Sequence, residues 1–170
     1  MSTWFLRYGF ADVHDQLVIG AYPLDAGDVD TLARMGVTRV LNLTEDAEYP
    51  PGARAEVQAA LARAAIAEYR VPFGDFGSLP SEPLERAVSL VESWLRDDGL
   101  AYVHCRAGRQ RSAAVAAGAL AAAEGLGIED ALRIVRRRKP TAEPLPHQLQ
   151  DLRSWWAQRN GIRPLDLTDG

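Results

Sequence analysis

One short segment of the chain combines a nucleophile with several groups that bind anions. It contains the only cysteine of the sequence and reads His104-Cys105-Arg106-Ala107-Gly108-Arg109-Gln110-Arg111-Ser112. The segment stands between an apolar run typical of a buried strand and an alanine-rich helical stretch, and in that position backbone N–H groups converge on an anion. Gly108 permits the positive φ of a tightly curled loop, and Arg111 can donate two parallel hydrogen bonds to one phosphate. We therefore predict that the stretch from Arg106 to Arg111 binds a phosphate group.

The same surroundings predict that Cys105 is a nucleophile. The positive end of a following helix and a neighbouring guanidinium lower the pKa of a cysteine from about 8.5 into the range of roughly 3.5 to 7.5. The Ser112 hydroxyl is placed to donate to the sulfur when the thiolate leaves, and we expect His104 to point away from the loop and to bond nearby backbone. A lone cysteine at the end of a strand is otherwise often a small buried apolar residue. The His, Gly, Arg and Ser at fixed spacing around Cys105 favour a catalytic role instead.

A phosphate ester also needs a proton donor for its leaving oxygen, and Asp75 is the leading candidate. It follows a predicted strand and stands between Gly74 and Gly77, which would let its loop close over a substrate. The alternative is an ordinary turn aspartate, because Asp beside Gly is common in turns. Asp46 and Glu48 follow another strand, and we interpret them as residues at the rim of the cleft that tune selectivity.

Short apolar runs alternate with helical patterns along the whole chain, which predicts the elements that position these residues. Strands are predicted at 17–21, 39–43, 68–71 and 101–104, and helices between them at 28–35, 53–65 and 82–96. Three further helices follow the last strand, at 112–123, 128–138 and 147–159. Strands separated by helices usually run parallel. We therefore predict a single α/β domain with a central, mainly parallel sheet of four to five strands flanked by helices.

Composition and charge exclude several classes of protein. The chain has 170 residues, of which 47% are hydrophobic and 25% charged, as expected of a globular domain and unlike a disordered or rod-like chain. Its net charge of −4 argues against a general nucleic-acid surface. No apolar run reaches the roughly 18 residues that cross a bilayer, and no basic stretch followed by an apolar one opens the chain, so we expect a cytoplasmic protein without a transmembrane segment. A single cysteine rules out an internal disulfide and a cysteine-rich zinc site.

Three other features have less direct bearing on chemistry. Trp155 and Trp156 share a helical face with leucines, which predicts core packing. The run Arg136-Arg137-Arg138-Lys139 ends a predicted helix, and we interpret it as a complement to the helix dipole, with a phosphate or acidic-lipid patch as the alternative. For the first twelve residues, which include Trp4, Phe5 and Phe10, both core packing and partner binding remain open.

The segment around Cys105 resembles the signature H-C-x-x-G-x-x-R-S/T of the cysteine-dependent protein tyrosine phosphatase superfamily, and the size of the chain resembles its dual-specificity branch. Residues 17–23 and 36–43 resemble early strands of that branch, and the likeness covers about 13–159 of one predicted phosphatase domain, 1–170. It implies a phosphomonoester hydrolase in which Cys105 forms a phosphocysteine intermediate, Arg111 binds phosphate, and Asp75 acts as acid and then as base. The implied partners are phosphorylated proteins or peptides, with phosphate, vanadate or sulfate ions as occupants of the loop. No metal or cofactor is implied.

The substrate class and two other functions stay open at this point. Arg106 and Arg109 make the loop more basic, which resembles superfamily members that act on phosphoinositides or phosphatidylglycerophosphate, so a phospholipid head group is the alternative substrate. A rhodanese-type sulfurtransferase also uses a cysteine in an anion-binding loop, but it needs no general acid. An inactive phosphopeptide-binding module is the other possibility. The presence together of Cys105, Arg111 and Asp75 argues against both.

One region departs from the family pattern. Many relatives carry an asparagine-containing turn before the last helix, whereas residues 141–150 read Thr-Ala-Glu-Pro-Leu-Pro-His-Gln-Leu-Gln. His147 either replaces a supporting contact of that turn or caps the helix, and we expect the cap.

Overall fold

A computed structural model describes residues 1–161 of the protein. It contains the strands β1 (Phe10–His14), β2 (Leu17–Gly20), β3 (Val37–Asn42), β4 (Ala67–Arg70) and β5 (Leu100–His104). They form one sheet with the order β1-β2-β5-β3-β4. β2, β5, β3 and β4 pair in parallel, and β1 runs antiparallel to β2 at one edge. The predicted single α/β domain with a mainly parallel sheet is therefore confirmed.

Helices cover both faces of this sheet. Within residues 1–161 they are α1 (Thr3–Tyr8), α2 (Ala26–Met35), α3 (Ala53–Arg63), α4 (Ser81–Trp94), α5 (Arg111–Glu124), α6 (Ile128–Arg138) and α7 (Pro146–Arg159). Alternate side chains of a strand point to opposite faces. On β5, Ala101 and Val103 join the core beneath α4 to α7, whereas Tyr102 joins the core beneath α1 to α3. The central strand is therefore buried on both sides, as parallel strands usually are.

α5 fixes the position of the cysteine segment because it runs through the centre of the larger core. Residues 111–121 of this helix are all buried, and most of them are alanine. At Gly118 an added Cβ would lie 2.9 Å from Cγ2 of Val88 and 3.1 Å from Cζ3 of Trp155, so α4 and α7 approach its backbone closely. The small side chains of α5 allow this approach, and the N-terminus of the helix is thereby held rigidly behind the loop that follows β5.

The sequence-based bounds agree with the structure within two residues for the predicted helices and strands, but one α-helix and one strand were not predicted. These are α1 and β1, at the start of the chain. Phe5 of α1 is buried in the smaller core, which answers the open question for that residue. The core placement of Trp155 is confirmed, whereas Trp156 is only partly buried against the same core.

The basic run divides into three exposed arginines and one buried lysine. Arg136, Arg137 and Arg138 are exposed in the last turn of α6, where positive charge complements the helix dipole. Lys139 is instead buried, and its Nζ donates to Thr141 Oγ1 at 2.7 Å. Of the helices in residues 1–161, none combines the length and the apolar character needed to cross a membrane. Residues 162–170 of the predicted domain lie outside the described part of the chain.

Candidate active site

The cysteine segment forms the loop between the carboxyl end of β5 and the start of α5. β5 lies at the centre of the sheet and ends at His104, and α5 begins at Arg111. Gly108 has φ +68°, and an added Cβ would lie 2.4 Å from the carbonyl carbon of Gly20. The loop thus packs directly on the end of β2, and both the dihedral angle and the close approach require glycine there. This contact curls the loop in front of the helix N-terminus.

Cys105 lies at the bottom of a small cleft with its sulfur beside Ser112. The residue is 3% exposed, and its Sγ is 3.3 Å from Ser112 Oγ. Burial alone raises the pKa of the thiol. The charge of Arg111, the Ser112 hydroxyl and the backbone N–H groups of Ser112 and Gln110 outweigh burial and lower the pKa below its usual value. The surroundings therefore favour the thiolate, which is the nucleophilic form.

Arg111 is held in one orientation by a buried carboxylate. Its Nη1 and Nη2 donate to the two carboxylate oxygens of Glu48 at 2.9 and 2.7 Å, and Nη1 also donates to the Phe73 carbonyl at 2.9 Å. The side chains of Arg111 and Glu48 are only 2% and 9% exposed. Burial disfavours the charged guanidinium, but the bonds to Glu48 and the charges of Cys105 and Asp75 raise the pKa of Arg111 above its usual range. Arg111 is therefore a fixed positive charge in the same cleft as the sulfur.

Glu48 is thus not a rim residue, and that prediction was wrong. It lies on a short 3₁₀ turn, Asp46–Glu48, after β3. The neighbouring Asp46 does lie on the surface, where its side chain is 77% exposed and pairs with Arg70 at 2.7 Å. A single turn therefore directs one carboxylate into the site and the other into solvent.

Asp75 reaches the same arginine from the loop that follows β4. Its Oδ1 accepts from Nη2 of Arg111 at 3.0 Å, and its Oδ2 accepts from Nη1 of Arg106 at 3.4 Å. Asp75 also lines the cleft that contains Cys105. The structure therefore brings together the predicted nucleophile, the predicted phosphate ligand and the predicted acid from two loops that are far apart in sequence.

Comparison with known proteins shows to which family the chain with this arrangement of residues belongs. Residues 17–158 match the family model "Dual specificity phosphatase, catalytic domain". The chain belongs to the dual specificity phosphatase family. Human dual specificity phosphatase 28 is 36% identical over 122 residues, which are 71% of this chain and 63% of that protein. The aligned part thus spans just under two thirds of the length of this relative.

Solved structures agree with this assignment. Human DUSP28 superposes with a TM-score of 0.70 at 30% identity, over 89% of this chain and 95% of that one. A mouse putative dual specificity phosphatase, complexed with zinc tungstate, gives 0.68 at 29% identity over 91% and 92% of the two chains. Tk-PTP gives 0.77 at 24% identity over 92% and 99%, and it supports the fold alone. The resemblance to the dual-specificity branch is therefore confirmed.

In this dual specificity phosphatase domain, the last helix supports the loop that contains Asp75, which we call the acid loop after the predicted role of this residue. His147 Nε2 lies 3.0 Å from the carbonyl oxygen of Phe76 and 3.1 Å from that of Gly77, so this nitrogen must carry the proton. Gln148 also donates to Gly77, and Asp151 accepts from the backbone N–H of Leu79 at 2.9 Å. The expected role of His147 as a helix cap was wrong, since Gln148 bonds the backbone N–H of Leu145 instead. The first two turns of α7 therefore fix the backbone on the carboxyl side of Asp75.

Arg109 and His104 support the stretch 106–111, which we call the phosphate loop after its predicted ligand. Arg109 Nε donates to the Thr141 carbonyl at 3.2 Å, and the Arg109 carbonyl accepts from the Glu143 N–H at 2.6 Å. Burial lowers the pKa of His104 to about 4, so the ring is neutral, and its Nδ1 lies 3.1 Å from the Cys105 carbonyl. The predicted contact of His104 with nearby backbone is thus present.

The remaining walls of the cleft come from a region that the sequence left open. The lining residues are Trp4, Tyr8, Asp75, Phe76, Cys105, Arg106, Ala107, Arg109, Gln110 and Arg111. The Trp4 indole donates to the Arg106 carbonyl at 2.8 Å, and the Arg106 guanidinium lies 5.1 Å from the Trp4 ring centre. No spacing rule connects residues 102 positions apart, so only the fold reveals that α1 belongs to the site.

Proposed function

We propose that the protein hydrolyses phosphate monoesters of proteins or peptides through a phosphocysteine intermediate. One observation carries the proposal: the Cys105 sulfur and the Arg111 guanidinium share a cleft with Asp75, whose carboxylate is 3.0 Å from Arg111. The cleft therefore holds a nucleophile, a ligand for phosphate and a proton donor within reach of one another. A thiolate of lowered pKa needs reducing surroundings, so a cytoplasmic location belongs to the same proposal.

The first step forms a sulfur–phosphorus bond. The Cys105 thiolate attacks phosphorus, the ester P–O bond breaks, and Asp75 donates its proton to the departing oxygen. The product alcohol or phenol leaves, and phosphate remains on the sulfur. Asp75 is left as a carboxylate.

The second step returns the enzyme to its starting state. A water molecule attacks phosphorus, and the Asp75 carboxylate takes the proton of that water. The S–P bond breaks, inorganic phosphate forms, and the leaving thiolate is stabilised by the Ser112 hydroxyl, 3.3 Å from the sulfur. Arg111 and the loop N–H groups stabilise the charge of the transferring group throughout, which is usually the largest contribution to such catalysis.

The orientation of Arg111 determines how it would hold phosphate. Glu48 occupies the edge of the guanidinium formed by Nη1 and Nη2. The edge formed by Nε and Nη2 remains for the substrate, and on it Nη2 now donates to Asp75. A phosphate bound there would take the place of the Asp75 oxygen on Nη2, so the acid is already beside the group that it serves.

The site favours a protein substrate over a phospholipid head group. Arg106 is engaged by Trp4 and Asp75, and Arg109 by the Thr141 carbonyl and Glu143, 3.6 Å away. The cleft measures about 170 Å³, below the roughly 300–1,000 Å³ of typical small-molecule sites. Neither the engaged arginines nor the small cleft suits a bulky inositol phosphate. Tungstate, named with the mouse relative, is a tetrahedral oxyanion like phosphate and fits the same anion-binding role.

A substrate panel tests the proposal. Wild-type protein should hydrolyse p-nitrophenyl phosphate and phosphopeptides, with lower activity on phosphoinositide vesicles and none on thiosulfate. Cys105→Ser should abolish turnover but still bind phosphate, and Asp75→Asn should lower kcat and weaken the basic limb of the pH profile, where loss of the acid proton is felt. Asp46→Asn is the matched control, since it removes a nearby surface carboxylate. Retained activity in Cys105→Ser, or thiocyanate formation from thiosulfate and cyanide, would exclude the mechanism.

A further inference from the structure

The N-terminal helix places aromatic rings beside the reacting sulfur. Trp4 and Tyr8 of α1 line the cleft together with Cys105, and Phe76 of the acid loop adds a third ring. Phe76 is 62% exposed and has φ +59°, a conformation that is rare for a bulky residue and recurs at functional sites. Aromatic rings at the mouth of a charged cleft suit a ligand that is apolar next to its phosphate.

The Trp4 ring is held in one position from several sides. Its Nε1 donates to the Arg106 carbonyl at 2.8 Å, and the Arg106 guanidinium stacks 5.1 Å from its ring centre. The Tyr8 ring lies 4.4 Å away at a tilt, and the Tyr22 ring lies 6.1 Å away in an edge-to-face arrangement. Because these contacts already order the ring, binding a ligand against it costs little side-chain entropy.

The helix that carries Trp4 is also anchored. A six-residue helix is not stable by itself in water. Phe5 is buried in the smaller core, and the Ser2 hydroxyl donates to the buried Asp28 carboxylate at 2.6 Å. α1 is therefore a fixed part of the cleft wall.

We propose that Trp4, supported by Tyr8, is a specificity-determining residue that selects aryl phosphates, with phosphotyrosine as the side chain that fits. This inference rests on the proposed phosphatase function and adds its substrate class. The phosphate of phosphotyrosine is carried by an aromatic ring, which can contact the Trp4 and Tyr8 rings while the phosphate lies between Cys105 and Arg111. Phosphoserine and phosphothreonine have a short aliphatic stem and no ring to make these contacts.

The direct test compares two peptides that differ only in the phosphorylated residue. For wild type, Trp4→Leu and Leu6→Ala, kcat/KM is measured on matched phosphotyrosine and phosphothreonine peptides. Trp4→Leu should lower the phosphotyrosine-to-phosphothreonine ratio about tenfold, the size of effect expected from a lost aromatic pair together with its buried area. Leu6 lies on the same helix, is 63% exposed and does not line the cleft, so Leu6→Ala should leave the ratio unchanged.

Two further variants separate specificity from structure. Trp4→Phe keeps a ring but loses the bond to the Arg106 carbonyl, and it should retain most of the preference. Tyr8→Leu removes the supporting ring and tests the same wall if Trp4→Leu does not fold, as judged by thermal melting. A ratio that stays constant in Trp4→Leu while both rates fall would show that Trp4 merely positions Arg106, and this would overturn the proposal.

A binding experiment tests the selection of aryl phosphates separately from the phosphatase function. Calorimetry on Cys105→Ser measures the affinities of phenylphosphonate and methylphosphonate, which differ only in the ring, and needs no turnover. Adding Trp4→Leu to that variant should remove about tenfold of the preference for phenylphosphonate. Equal affinities for both phosphonates with Trp4 present would overturn the proposal. If the wild-type protein hydrolyses no phosphate ester but Cys105→Ser still prefers phenylphosphonate, the result would contradict the phosphatase function and not the role of Trp4.

Discussion

Removing the charge of Glu48 should misplace Arg111, the residue that we propose binds phosphate. Glu48→Gln keeps the shape of the side chain but puts an NH₂ group against a guanidinium that presents only donors. Breaking a buried ion pair costs about 3–5 kcal/mol. Because one oxygen acceptor remains, we expect the lower end, about 3 kcal/mol of unfolding free energy. For a domain of this size that lowers Tm by roughly 6–12 °C.

The loss of activity should exceed what the lower stability explains. Arg111 would retain its bonds to the Phe73 carbonyl and to Asp75, 2.9 and 3.0 Å away, but would lose the two-point contact with a carboxylate that fixes its plane. Misplacing a positioning group by about 1 Å can cost about 100-fold in rate. At 20 °C, where the variant remains folded, kcat/KM should therefore fall roughly 10- to 100-fold, and the affinity for vanadate should fall with it.

The assay is steady-state hydrolysis of p-nitrophenyl phosphate, with vanadate inhibition and thermal melts on the same samples. Asp46→Asn is the control, because Asp46 lies on the same turn with its side chain 77% exposed and paired with Arg70. It should change kcat/KM less than twofold, as expected of an exposed pair. Glu48→Gln protein with wild-type kcat/KM and vanadate affinity would refute the positioning of Arg111 by Glu48.

Three other substitutions probe single contacts of the site. Ser112→Ala removes a hydrogen bond that lowers the pKa of Cys105, so the thiolate should form only at higher pH. The acidic limbs of the pH profiles of kcat/KM and of iodoacetamide alkylation should then move to higher pH, and unmoved limbs would contradict this contact. Arg106→Gln releases one oxygen of Asp75 and should slow hydrolysis of phenyl phosphate more than that of p-nitrophenyl phosphate, whose better leaving group needs less protonation. Equal losses of rate across a series of leaving groups would show that Arg106 does not position the acid. Asp75→Asn removes a negative charge from Nη2 of Arg111, the atom that we propose also binds phosphate, so vanadate should bind about fivefold more tightly even as turnover falls. Weaker vanadate binding would show that Asp75 does not occupy that position.

The phosphate loop was predictable because its groups are contiguous in sequence. A strand, a glycine at a tight turn and a helix start fix where the N–H groups of 106–111 point, so local rules suffice. The position of Asp75 at the cleft was predictable for a related reason: the carboxyl ends of parallel strands meet at one edge of a sheet, and the proposed mechanism needs an acid there. In both cases chemistry narrowed the choice among a few nearby residues.

Glu48 and Trp4 were beyond such rules because their partners are distant in sequence. Glu48 is separated from Arg111 by 63 positions, and Trp4 from Arg106 by 102. A surface carboxylate and a buried one look alike in sequence, and Asp46 and Glu48 on one turn illustrate this. α1 is only six residues long and therefore lacks the periodicity that identifies longer helices. One general rule points to Glu48: an arginine that is buried with its charge requires a carboxylate partner.

The electrostatics of the site follow from the finite number of donors on one guanidinium. Arg111 carries five N–H bonds; Glu48 takes two of them, the Phe73 carbonyl takes one, and Asp75 takes another on the edge that faces the cleft. If phosphate binds Arg111 at two points, as we propose, only that last edge is open to it, so its binding would displace the Asp75 oxygen. The freed carboxyl keeps its other contact, to Arg106, which stacks on Trp4. In the proposed mechanism, Asp75 would therefore stay near the leaving oxygen without competing for Arg111. Trp4, which we propose contacts the substrate ring, also holds Arg106, the residue that bonds Asp75.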